Sequence, residues 1–273
     1  MTSYKPEYEK QITDKIRRVL DDGSIAVLVT VLESETLAIG AKLLVSAAPD
    51  ASGDLGDAGL NNAAIGEARS FMRARDEAKA TKVSEFAPAL ESNDVLLFER
   101  IESEPRLIVA GAGHVGASLA RMASLAGYVV TLIDERAGFL VRELFSSKSE
   151  QAIDLMVAQS WSDALREAIG QGHGVSVAIV TRGHKQDEDC LRAAIVARPA
   201  YIGMIGSKRR TNIVLDKLRA EGFDRDQLKK VRAPIGLDIG AVSPEEVAVA
   251  ILAEIVAERR GGQGGSLSAW RRS

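Results

Sequence analysis

The chain has 273 residues, 35 of them basic and 38 acidic, with a formal charge of -3 and a pI near 5.8. It is long enough for one large or two ordinary cores, and it carries no basic field that would hold nucleic acid or an anionic membrane. A single cysteine, Cys190, excludes an internal disulfide framework and fits a reducing compartment; with a polar Met1 to Lys10 and no apolar run of ~20 residues, we expect a cytoplasmic protein without a membrane span.

Taken in chain order, the pattern opens with an amphipathic helix over 7–20, where Ile12, Ile16, Val19 and Leu20 recur at helical spacing until Asp21-Asp-Gly23 stops it. Two β-rich runs follow at 25–32 and 41–46, then a glycine-rich turn over 52–59, a helix over 62–75 and a strand over 95–101. These elements predict a small α/β domain over 1–104. Glu102-Ser-Glu-Pro105 is a polar, proline-ended joint, and a second domain is expected over 105–260.

That second domain begins with Arg106-Leu-Ile-Val-Ala-Gly-Ala-Gly-His-Val-Gly116, a short apolar strand feeding a G-x-G-x-x-G turn that opens a helix. Gly111 permits the tight turn, Gly113 lets backbone approach a pyrophosphate, and Gly116 lets the helix pack close to the sheet. The helix over 115–126 leads to a second strand, 128–133, which ends at Asp134, where a dinucleotide's ribose hydroxyls are usually bound. An irregular stretch with one short strand is expected over 135–160, then a helix over 162–169, a strand over 175–180, a helix over 188–197, a strand over 201–205, and a helix opening at Ser207-Lys-Arg-Arg210. Ser243-Pro-Glu-Glu246 supplies an N-cap serine, a proline at N1 and a glutamate at N3 for a long helix to about 259, and 261–273 reads as a flexible tail. Alternating strands and helices predict an α/β fold: a Rossmann-like doubly wound parallel sheet preceded by the smaller α/β domain.

Loops leaving the carboxyl ends of parallel strands gather on one edge of the sheet, where ligands bind. Three such loops carry polar groups: 111–116, 181–187 and 206–210. Two of the three histidines, His114 and His184, lie in them. A histidine there can donate to an anion or exchange a proton, and His184 beside Asp187 can be oriented by the carboxylate; the bland alternative is that it only caps a helix or contacts solvent. Ser207, Lys208 and Arg209 open a helix, where basic groups oppose the dipole unless an anion compensates, although a solvated basic face explains them equally well. Asp238, in the apolar loop 233–240, reads as a ligand or an anchor for backbone amides. Cys190 reads as a small core residue, and His173, between two glycines, as an ordinary loop residue.

Gly111-Ala-Gly-His-Val-Gly116, Thr181-Arg-Gly-His184 with Asp187, Tyr201-Ile-Gly-Met-Ile-Gly-Ser207, and Ala233-Pro-Ile-Gly-Leu-Asp-Ile-Gly240 followed by Ser243-Pro-Glu-Glu246 together resemble the XdhC/CoxI family, accessory proteins of xanthine dehydrogenase and related molybdenum hydroxylases. The resemblance spans about 105–259. It implies a chaperone that binds the molybdenum cofactor (molybdopterin), protects it and helps deliver it, more than an enzyme that turns over. The site residues it implies are Gly111, Gly113, His114, Gly116, Asp134, His184, Asp187, Ser207, Asp238 and Glu245, with Lys208 and Arg209 beside them. His184 and Asp187 take the proton-handling role and the others hold the cofactor; no metal ligands are implied. The implied partners are the large subunit of a molybdenum hydroxylase, a sulfurtransferase and a second copy of the chain.

The chain departs from the family at several positions. Arg182 stands where a histidine is usual, which removes one ligand from the loop. Gly40-Ala-Lys-Leu-Leu-Val45 is present, but 33–39 lacks the family's proline-arginine pair and 53–61 has neither its cysteine nor its glutamate. Cofactor handling is therefore expected in the second domain. Two other readings stay open: an NAD-dependent or NADP-dependent oxidoreductase with Asp134 on the ribose, and a nucleotide-sensing module that does no chemistry.

Overall fold

The computed structural model describes residues 6–46, 51–74, 76–148, 150–172 and 174–268. His173 and the last five residues of the tail lie outside them. The chain divides into two compact units, Met1–Ser103 and Glu104–Ser273.

In the first unit, α1 (Pro6–Asp21), β1 (Ile25–Glu33), β2 (Lys42–Ser46), β3 (Ala51–Gly53), α2 (Ala58–Arg73), β4 (Ala78–Lys82), the single turn α3 (Val83–Phe86) and β5 (Val95–Glu102) follow in order. The sheet runs β3-β2-β1-β5-β4, with every pair antiparallel. The central strand β1 is buried on both sides because successive side chains alternate between them. Val27, Val29 and Val31 join Leu60, Ala64 and Phe71 of α2, whereas Ala26 and Leu28 join Ile12 and Val19 of α1. Strands β3 and β4 are absent from the sequence reading, and the physical reason is visible: Ala-Ser-Gly and Ala-Lys-Ala-Thr-Lys are exposed edge strands without an apolar alternation to mark them. Helix α2 starts four residues earlier than its apolar pattern suggested because Asp57 caps it, accepting from Leu60 N at 2.7 Å. Its other end is closed by Arg100 of β5, whose guanidinium donates to the carbonyls of Met72 and Ala74.

The second unit contains β6 (Arg106–Ala110), α4 (His114–Leu125), β7 (Val129–Asp134), β8 (Asp154–Val157), α5 (Trp161–Ile169), β9 (Val175–Ile179), α6 (His184–Ala197), β10 (Tyr201–Met204), α7 (Lys208–Ala220), α8 (Arg225–Lys229) and α9 (Pro244–Arg260). All of its strand pairs are parallel, in the order β10-β9-β6-β7-β8. This is the 3-2-1-4-5 order of the Rossmann fold, and its winding reverses between β6 and β9. Leu107 and Val109 face a layer built by α4 and α9, while Ile108 and Ala110 face the layer of α5 and α6, so one five-residue strand serves two cores. Helix α9 has the predicted capping box: Ser243 Oγ accepts from Glu246 N, and the Glu246 carboxylate accepts from Ser243 N. Midway along it, Glu254 accepts from Tyr201 Oη at 3.1 Å and from Gly236 N, and so pins the 233–240 loop to the sheet. A Cβ on Gly203 of β10 would lie 2.3 Å from the Ile235 side chain of that loop, so the loop packs directly on this strand.

Helix α6 begins at His184, not near 188, so most of the expected histidine loop is its first turn. The short strand expected within 135–160 is β8, and α8 arises between α7 and the 233–240 loop. Among the described residues no helix is long and apolar enough to cross a membrane.

The tightest contact with backbone that a glycine allows in this unit lies between the first and third glycines of the turn. A Cβ on Gly116 would sit 1.8 Å from the Gly111 carbonyl oxygen, whereas one on Gly113 would meet only the Arg182 guanidinium, at 3.7 Å. Gly116→Ala should therefore lower unfolding stability by at least about 1–3 kcal/mol, with Gly113→Ala staying within about 1 kcal/mol of the wild type, as measured by denaturant titration. Equal losses at the two positions would contradict this geometry.

Candidate functional site

The site grows from the carboxyl end of β6. Gly111 adopts φ 114, and a Cβ there would lie 2.7 Å from the Val180 carbonyl oxygen, so the chain turns in a space that only glycine fits. Gly111 N donates to Ile133 O at 2.7 Å and Val180 N to Ala110 O at 2.8 Å, which fixes the turn between the ends of β7 and β9. Gly113 is the N-cap of α4 and has no side chain to satisfy the first-turn N–H groups. Those donors and the positive end of the helix dipole are thereby left for an anion.

Asp134 ends β7, as the sequence indicated, but its carboxylate is committed inside the protein. It accepts from Ala112 N at 2.7 Å, from Arg136 N at 2.9 Å, and from Arg136 Nε and Nη2, each at 2.8 Å. Only 1% of the residue is exposed. Burial pushes its pKa up, yet Arg136 and the two backbone donors outweigh that and hold it below the usual carboxylate value. The expectation of a free ribose acceptor is thus replaced by a structural link between the glycine turn and the end of β7. Arg136 itself lies over the Phe139 ring at 3.9 Å.

The next residue, Glu135, accepts from Trp161 Nε1 at 3.1 Å and from Gln186 Nε2 at 3.4 Å, joining the first turns of α5 and α6. Opposite, Arg182 is exposed, and its Nη2 is 3.4 Å from His114 Nδ1. Gly111, Gly113, Arg136, Trp161, Arg182 and Gln186 are among the residues that line one cleft at the switch point of the sheet. Its volume of about 90 Å³ accommodates a phosphate-sized part of a ligand, not an entire dinucleotide.

Sequence reasoning missed Arg136, Trp161 and Gln186, and it counted Arg182 as a loss. Arg136 was legible as the charge two residues past the strand end. Trp161 and Gln186 carry no motif and enter only through the packing of α5 and α6.

Other expected site residues are placed elsewhere. Asp187 is fully buried, and its two oxygens take the Thr181 hydroxyl and the Arg210 guanidinium, not the His184 imidazole. Burial drives its pKa up against those two bonds, and His184 contributes only a minor charge effect. His184 itself is exposed at the first position of α6. Asp187 thus ties the loop after β9 to the first turn of α7 in a structural role. Ser207 caps α7, accepting from Arg210 N, while Lys208 and Arg209 are exposed and do not line the cleft. Asp238 and Glu245 are exposed as well, and they do not line it either. Cys190 lies in the core, and burial, followed by the charge of Asp187, pushes its thiol pKa up, which removes it as a nucleophile. Among the described residues no group of three or more His, Cys, Asp or Glu side chains forms a metal site.

Residues 107–255 match the family model described as the XdhC Rossmann domain. The chain belongs to the XdhC family. Among curated proteins it is 33% identical over 161 residues to the uncharacterized protein YqeB of Escherichia coli, a match covering 59% of this chain and 28% of YqeB. It is 31% identical over 173 residues to a probable xanthine dehydrogenase subunit of Bacillus subtilis (63% and 48%), and 36% identical over 69 residues to the molybdenum cofactor insertion chaperone PaoD of E. coli (25% and 22%). The chain therefore spans less than half of the length of each of these relatives. A crystal structure of a xanthine dehydrogenase from Bacillus halodurans shares the fold, with a TM-score of 0.62 at 22% identity, covering 93% of this chain and 67% of that one.

The Asp134 linkage gives a pH-dependent prediction. A carboxyl whose folded-state pKa is lowered adds stability that is complete above the unfolded value of about 3.9 and lost as pH falls through the folded value. Asp134→Asn should therefore lower the thermal midpoint at neutral pH, and the gap to the wild type should shrink on acidification below about pH 4. A gap independent of pH would show that the carboxylate charge is not what holds the turn.

Proposed function

We propose that this chain is an accessory protein of a molybdenum hydroxylase of the xanthine dehydrogenase type, and that it holds the molybdenum cofactor by its phosphate in the cleft at the end of β6. The observation that carries the reading is the coincidence of an uncapped α4 N-terminus with two guanidinium groups, Arg136 and Arg182, in one cleft of an XdhC Rossmann domain. Similarity to a relative named a molybdenum cofactor insertion chaperone supports this ligand class for the proposal.

The donor set fits the phosphate end of a pterin. Backbone N–H groups of the α4 first turn point along the helix axis, and a planar guanidinium can take two phosphate oxygens at once. Trp161 gives the same cleft an apolar wall. The one cysteine of the chain is buried away from solvent, so the protein offers no thiolate to the metal, and its grip on the cofactor is through the phosphate and the pterin. When bound, the cofactor supplies the redox chemistry that the partner hydroxylase uses. In this proposal Arg182 and the α4 amides neutralise the phosphate, and Arg136, braced by Asp134 and Phe139, sets the wall against which it rests. An exposed Arg182, with its Nη2 beside the His114 ring, suits a site that must release its ligand to a partner.

A partnership with the hydroxylase large subunit, a sulfurtransferase acting with it, and a cytoplasmic setting all belong to this proposal. The NAD reading is weakened by Asp134, whose carboxylate is already taken by Ala112 N and Arg136, leaving the ribose without its usual acceptor.

The test is to incubate the purified chain with molybdenum cofactor freshly released from a molybdenum enzyme, remove unbound ligand, and measure retained pterin by fluorescence after oxidation. Retention by the wild type is expected, with affinity lowered about 10–100-fold in Arg182→Ala through loss of one charge-assisted hydrogen-bonding group. A chain that retains no pterin while NAD raises its thermal midpoint would overturn the reading in favour of a dinucleotide-binding protein.

A further inference from the structure

The second unit has a cavity larger than the cleft, about 230 Å³, and it lies at the amino end of β10, the opposite edge of the sheet from the glycine turn. It forms where α6 ends and α8 covers the approach to β10. Ile195, Pro199 and Ile202 give it apolar walls, and Arg198, Gln227 and Lys230 give it polar ones. Ile195 and Leu228 of α8 are buried in the same core layer, which anchors the elements on either side. The turn that carries Arg198 is held at several points. Arg198 N donates to Ala194 O at 3.0 Å and Ala200 N to Val175 O at 2.9 Å, and a Cβ on Gly172 would lie 2.5 Å from the Ala197 carbonyl oxygen. Arg198 caps α6 at φ 53, in the left-handed region where helices ordinarily end on glycine, as α9 does on Gly261. An arginine there costs stability that a glycine would not, and strain of this kind persists where the side chain is used.

Charge decides what this cavity can hold. Arg198 and Lys230 form no ion pair among the described residues, and the acids nearest them in the chain are engaged elsewhere. Asp224 accepts from Gln227 N at 3.0 Å, Asp226 pairs with Lys229 at 2.9 Å, and Glu221 pairs with Arg192 at 2.9 Å. The carboxyl ends of α6 and of the five-residue α8 each bring at most about half an elementary negative charge. Two full positive charges therefore leave the cavity net positive. An inorganic anion would leave its apolar walls in water, and a neutral apolar ligand would cover two cations without a counter-charge. The volume is below the ~300–1,000 Å³ of sites for drug-sized ligands, so the occupant is small. The geometry points to a second binding site, for a small organic anion: a carboxylate or phosphate group on an apolar body of about one ring. Arg198 and Lys230 neutralise the acid group, the Gln227 amide donates to it, and Ile195, Pro199 and Ile202 pack on the ring. The inference is independent of what the cleft holds. Helix α6 links the two places, since its first turn brings Gln186 to the cleft and its last residues line this cavity.

Titration of the isotope-labelled full chain with benzoate, phenyl phosphate, benzamide and inorganic phosphate, followed by backbone amide shifts, tests this. At least one of the two ring acids should shift the amides of 195–202 and 227–230 saturably, and the tighter of the two identifies the acid group. Benzamide has the ring without the charge and inorganic phosphate the charge without the ring, so each should bind there at least about tenfold more weakly. Arg198→Gly should lose at least about tenfold in affinity while its thermal midpoint rises, because glycine adopts φ 53 without strain. Lys230→Ala should lose affinity to a similar degree with its midpoint unchanged. Absence of saturable shifts at 195–202 with both ring acids would overturn the proposal. So would undiminished binding in Arg198→Gly, or benzamide or inorganic phosphate binding there as tightly as the ring acids. Shifts confined to 111–116 would also overturn it, assigning the acid to the cleft.

Discussion

The contact between the Gly111 carbonyl and the Cα of Gly116 governs the second unit. It lets α4 start directly over the end of β6 with no side chain between, so the first-turn amides open onto the cleft where the winding of the sheet reverses. Because Gly111 is also pressed against Val180, the same backbone contact sets the distance from the turn to the loop after β9. Any ligand held at α4 is then within reach of Arg182 without a further conformational choice.

Around that contact, charge is used mainly for bracing. Asp134 joins the turn to the end of β7 through Ala112 N and Arg136, Glu135 joins β7 to α5 and α6, and Asp187 joins the loop after β9 to α7. Each acid follows or lies close to the carboxyl end of a parallel strand, where loops would otherwise have only backbone to hold them. The arrangement ties irregular segments into a cross-braced rim, on which Arg182 is exposed beside His114.

The two units share no design rule. In the first, an antiparallel sheet between two amphipathic helices buries β1 on both faces with alternating short side chains, and its edge strands are brief and polar. In the second, parallel strands of continuous apolar character are covered by helices on both sides. The cleft at the switch point is lined by residues of the second unit.

The sequence by itself determined the doubly wound sheet, the glycine turn, the capping box of α9 and the family. Each rests on local rules: apolar runs of strand length, glycines where backbone must touch backbone, and a serine and a glutamate three residues apart. The shorter elements β3, β4 and α8 escaped because edge strands and single helical turns bury too little to leave a pattern. The roles of the charged residues were decided only by the tertiary structure. Asp134 and Asp187 have the right positions for a ribose contact and a histidine partner, but burial makes a carboxylate take the nearest donors. Those donors, Arg136 and Arg210, lie 2 and 23 residues away. Trp161 and Gln186 reach the cleft through helices whose sequences announce only an amphipathic pattern. A motif fixes where the backbone turns; which side chains meet there depends on the packing of elements far apart in the chain.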